Sequence, residues 1–108
     1  MTNQAKTLEK LEILQIIYSQ EGYSSDLVER TLEKLIAHEI TTAQQEAGEL
    51  KTELQAFEEK YQMSSEDFYQ RFRLGEMGDA VDFVEWSAFY QMWTSVQQRL
   101  KILQAQQA

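Results

Sequence analysis

One stretch limits what this chain can become. From Asp26 to about Tyr61 there is no proline, and the only glycine is Gly48. Proline removes a backbone donor and clashes with the preceding turn, so its absence leaves nothing to break a helix there. The stretch reads as one helix of about 36 residues, ~54 Å long at the usual rise per residue. From Ile36 onward its apolar residues form a seam: Ile36, Ile40, Ala43, Ala47, Leu50, Leu54, Phe57 and Tyr61. The spacing alternates between 4 and 3, which is the coiled-coil period. Propensity alone does not hold so long a helix together, so partner helices are expected along it. Gly48 and the small residues around it make the weakest stretch, where a bend or a break into two helices is the main alternative.

The rest of the chain supplies those partners. A first helix is expected from about Lys6 to Gln20, with Leu8, Leu11, Leu14, Ile17 and Tyr18 on one face, widened by Ile13 and Ile16. A face that wide implies burial on two sides. Gly22 follows as a terminator, and Ser24-Ser25-Asp26 offers cap side chains for the long helix. A short link makes the two helices antiparallel neighbours, with the first packed on Leu27, Val28, Leu32, Leu35 and Ile36. Thr-Leu-Glu-Lys-Leu occurs twice, at 7–11 and 31–35, without a third copy, and reads as chance. Ser64 with Asp67 resembles a capping box for a short helix from Ser65 to Leu74, with Phe68 and Phe72 inward and Gly75 at its end. A last helix starts near Asp79–Asp82, with Asp82 and Glu85 as its N-terminal signature, and runs to about Leu103. Its seam, Trp86, Phe89, Trp93, Val96, Leu100 and Leu103, has the period of the long helix. Pairing is expected between Leu50, Leu54, Phe57 and Tyr61 on one side and Trp86, Phe89 and Trp93 on the other, within a chain or across a dimer.

The expected fold is therefore all-α. It is a long antiparallel helical hairpin built into a coiled-coil-like bundle of four helices, at about 6–20, 26–61, 65–74 and 80–103. It forms one domain over 1–108, with 1–5 and 104–108 frayed. Zero cysteine and the lack of a signal-peptide pattern or a long apolar run point to the cytoplasm.

Few residues suggest chemistry. His38 is the sole histidine and has no ligand partner at metal spacing, so it reads as a surface residue. Glu76, Asp79, Asp82 and Glu85 surround the Gly75–Gly78 loop, but their spacing is not that of a calcium loop. Ser87 lacks a nucleophile frame, and the four glycines make no phosphate loop. The chain is read as a non-enzyme with no cofactor and no metal. Net charge is −8, from 18 acids and 10 bases, and the excess sits mainly on the long helix. That surface repels phosphate backbones and attracts basic proteins, although solubility alone accounts for such a balance. Eight aromatic residues, Phe68, Tyr69, Phe72, Phe83, Trp86, Phe89, Tyr90 and Trp93, fall within 26 residues. One helix face in a small monomer does not bury them all, so some are expected to meet another chain, by default in a homodimer.

The stretch Phe57–Met92 carries a resemblance. Lys60, Tyr61, Met63 and Ser64, then Phe68 and Phe72, then Gly75, Glu76, Gly78 and Asp79, then Asp82, Phe83, Glu85 and Trp86 match a pattern. It resembles a module in small helical proteins of cyanobacteria and archaea that are considered antitoxin-like, partners of TumE-type toxins. The resemblance implies a non-catalytic protein that binds a basic toxin, encoded next to it, and masks it directly. In that role Tyr69, Phe83 and Tyr90 would dock, while Glu76, Asp79 and Asp82 would steer the encounter. The alternative is a homo-oligomeric helical scaffold or adaptor with no toxin.

Overall fold

The computed structural model describes residues 3–105. They form four helices and, among the described residues, no strands: α1 (Asn3–Tyr18), α2 (Asp26–Tyr61), α3 (Ser65–Arg73) and α4 (Val81–Ala105). The protein is all-α. Helix α2 runs through Gly48 without interruption, so no break divides it. A methyl group built at Gly48 would meet nothing within 4 Å, so this glycine answers to no close neighbour. Asn3–Ala5 and Gln104–Ala105 are helical where frayed ends are expected, whereas residues 1–2 and 106–108 lie outside the described residues.

Contacts divide the chain into two units, one reaching Lys34 and one beginning at Leu35. In the first, α1 ends at Tyr18, two residues earlier than expected, and Gly22 takes φ 83° in the turn beyond. The Tyr18 hydroxyl fastens the next helix start. It accepts from the Ser25 N–H at 3.0 Å and donates to the Ser25 carbonyl at 3.2 Å. Ser25 Oγ accepts from the Val28 N–H at 3.3 Å, which makes Ser25 the N-cap of α2. Arg30 Nε donates to the Asp26 carbonyl oxygen one turn earlier.

The expected burial of α1 is corrected here. No residue of α1 is buried, and Leu8, Leu11, Ile13, Leu14, Ile16 and Ile17 are all exposed, Leu8 by 57% and Ile13 by 60%. Leu27 and Leu32 are exposed as well. Two helices joined by one turn enclose no interior, so a face wide enough for two neighbours stays largely open.

The second unit holds the core. The α2 seam meets α4 in antiparallel order: Tyr61 lies against Phe83 and Trp86, Phe57 against Trp86 and Phe89, and Glu46 pairs with Arg99 near the far end. Ala43, Ala47 and Leu50 pack with Val96 and Leu100, where small residues on one helix admit the other. Leu54, Phe68 and Trp86 form the second cluster. Phe68 and Trp86 are both fully buried and stacked, with ring centroids 3.9 Å apart and planes 3° apart. The seam residues Leu50, Leu54, Phe57, Tyr61, Trp86, Phe89 and Trp93 are thus used for pairing within the chain.

Side-chain chemistry fixes where α3 sits. Ser64 Oγ accepts from the Asp67 N–H at 3.1 Å, as the cap pattern predicts. A second acceptor comes from α2, because the Glu58 carboxylate takes the Ser65 N–H at 2.9 Å. At the other end, Gly75 has φ 79°, Gly75 N–H donates to the Phe72 carbonyl, and Glu76 N–H donates to that of Arg71. This is a Schellman closure, and it requires the left-handed residue that glycine supplies.

Candidate functional site

Trp86 sets the geometry. Its indole N–H is buried and needs an acceptor, which Ser65 Oγ provides at 2.9 Å. That bond pins the first turn of α3 to α4 and brings Tyr69 beside Tyr90, with ring centroids 4.9 Å apart and planes tilted by 37°. Tyr90 continues onto Trp93 at 6.2 Å. The Arg73 guanidinium lies 5.9 Å from the centre of the Tyr69 ring. Tyr69, Arg73 and Tyr90 border an open groove of about 420 Å³ between α3 and α4, also lined by Glu66 and Gln98. On the other side of Tyr90 lies a smaller groove of about 270 Å³, reaching Leu54, Glu58 and Trp93. Half-exposed ring faces beside amides, one acid and one base suit contact with a protein chain: stacking and hydrogen bonding from a rigid floor.

The expected docking set is split by the fold. Tyr69 and Tyr90 come together. Phe83 turns into the ring cluster, 5.1 Å from Tyr61 and 5.6 Å from Phe68, and keeps only part of its surface open. Asp82 is not the cap of α4. The Ala80 carbonyl accepts from the Phe83 and Val84 N–H groups there. One Asp82 carboxylate oxygen instead accepts from Lys60 Nζ at 2.7 Å and from the Tyr61 hydroxyl. The Lys60 bond, followed by the Tyr61 bond, holds the Asp82 carboxyl below its ordinary range. The same carboxylate raises Lys60 and Tyr61, in each case first through the hydrogen bond. Glu76 and Asp79 are exposed in the loop between α3 and α4.

No family model, no curated protein and no solved structure matches the chain.

Three residues that position this region were not singled out from sequence. They are Glu58, Ser65 and Arg73. The signal for Ser65 was available, since a seam tryptophan needs an acceptor nearby. The signal for Glu58 was weaker, since nothing local shows that an acid near the end of α2 reaches the start of α3. Among the described residues, no three His, Cys, Asp or Glu side chains converge as a metal-sized cluster. Nor is any helix among them long and apolar enough to cross a membrane.

Proposed function

We propose that the protein is a non-catalytic binding module of the cytoplasm, antitoxin-like, which neutralises a basic partner toxin by covering its surface and works as a homodimer. The observation that carries the reading is the uncovered face of α1. Six leucines and isoleucines stand exposed on one helix that buries none of its residues. Exposed apolar surface on that scale marks a protein-interaction site. From Leu35 onward the chain carries 12 acids against 6 bases, so a basic partner is drawn toward it. The residues that carry the family resemblance build the ring cluster behind the Tyr69–Tyr90 pair: Phe68 and Trp86 stack, and Tyr61 packs against Trp86.

The scaffold reading has one observation in its favour. Helix α1 balances Lys6 and Lys10 with Glu9 and Glu12, so its face carries no net charge that selects a basic partner over another copy.

Expression of each neighbouring open reading frame, with and without this chain, separates the two. The antitoxin reading expects one neighbour to arrest growth alone and to be harmless in company. Leu11→Glu with Leu14→Glu should abolish that protection while leaving helicity unchanged. Neighbours that are all harmless would leave the scaffold reading.

A further inference from the structure

Helix α4 has a second seam, on the side away from its core face. Val81, Glu85, Ala88, Met92, Ser95, Arg99 and Ile102 recur at alternating steps of 4 and 3. All seven are exposed, Val81 by 74% and Ile102 by 69%. The stripe is mixed, with Val81, Met92 and Ile102 apolar and Glu85 and Arg99 charged, and it is tied to α2 through the Arg99–Glu46 surface bridge.

The order of residues along this seam is a palindrome in chemistry. Met92 stands at the centre. Ala88 and Ser95, both small, flank it. Glu85 and Arg99, opposite in charge, come next. Val81 and Ile102, both β-branched and apolar, close the two ends. Turned end over end about Met92, the seam presents apolar to apolar, small to small and acid to base. A twofold-symmetric antiparallel pair needs that pattern, because each residue meets its mirror position on the other copy. Small residues beside the centre let two helices approach closely. The seam from Val81 to Ile102 spans ~32 Å along the helix axis.

We infer that a second copy of this chain occupies the outer face of α4, packed antiparallel about a twofold axis at Met92. Each Glu85 then faces Arg99 of the other copy, twice per dimer. The surface bridge from Arg99 Nη1 to Glu46 at 3.3 Å leaves the Arg99 side chain 46% exposed, and its guanidinium has further donors to offer. The molecule's net charge opposes self-association in general, but α4 balances Asp82 and Glu85 with Arg99 and Lys101. The inference gives a surface to the homodimer in the reading above and rests on that part of it. The seam expected to serve a dimer is already used inside the chain, so a dimer needs another face.

The chain has no cysteine, so a single introduced thiol reports cleanly. Met92→Cys in the full chain should form a symmetric disulfide under mild oxidation, and light scattering should give the wild type twice the chain mass. Glu85→Arg should weaken the dimer about tenfold or more, by setting like charges face to face twice. Arg99→Glu should do the same. The double variant, which exchanges acid and base, should restore the dimer. A monomeric wild type would overturn the inference and the homodimer reading together. A dimer in which Met92→Cys does not cross-link and Glu85→Arg changes nothing would overturn this face alone and leave the homodimer standing.

Discussion

Ser65 and Trp86 form the polar bond on which the aromatic core is assembled. Ser65→Ala would leave the indole N–H buried without an acceptor, and the expected cost is ~1–3 kcal/mol in chemical denaturation. A loss near zero would mean the bond does not hold α3 in place. The Lys60–Tyr61–Asp82 group makes a second test. Asp82 is lowered in the folded state, so its contribution is present above the ordinary carboxylate range and is lost as pH falls through the lowered value. Tyr61 and Lys60 are raised, so theirs is present below their ordinary values of 10.0 and 10.5 and is lost as pH rises through the raised ones. The stability difference between wild type and Asp82→Asn should therefore be flat from about pH 5 to 9 and shrink on both sides. A difference independent of pH across the whole range would remove this group from the account. Asp82 and Glu85 read from sequence as helix-start acids, and for Asp82 that was half of the story. It does lie in the first turn, but its bonds run to α2, and local spacing carries no information about a partner 21 residues away.

At the level of elements, the period of the seams made most of the fold legible. Alternating steps of 4 and 3 gave both the continuous α2 and its antiparallel pairing with α4, because periodicity fixes a face and a shared period fixes what matches it. The start and end of α3 were legible too, through Ser64 and Gly75, since caps are local chemistry. The packing of α1 was not. An apolar face states that something must cover it and leaves open whether the cover belongs to the same chain. The burial of Phe83 is not legible for a similar reason: an aromatic beside the seam is core or surface depending on how α3 crosses, which no local pattern shows. Gly48 gives the cleanest test at this scale. It is helical, exposed and free of close neighbours, so Gly48→Ala should raise stability by ~0.4–1 kcal/mol. Destabilisation there would show that α2 needs a flexible point the structure does not have.

For the molecule as a whole, charge and uncovered apolar surface act at different stages of binding. In the proposed role, the acidic excess would act at a distance and speed encounter with a basic partner, and the apolar side chains would act only on contact. Association with such a partner should therefore slow steeply between low salt and 0.15 M, while dissociation changes little. An association rate insensitive to salt would separate the charge from the binding. In the proposed role this chain covers another protein rather than transforming a substrate. The measurement that bears on it most directly is the mass, by light scattering, of what co-purifies when the tagged chain is expressed with the neighbouring gene that arrests growth. Masking predicts one stable species with both chains in fixed ratio, lost in the Leu11→Glu, Leu14→Glu variant. Recovery of the tagged chain alone, from cells that nonetheless survive, would contradict masking.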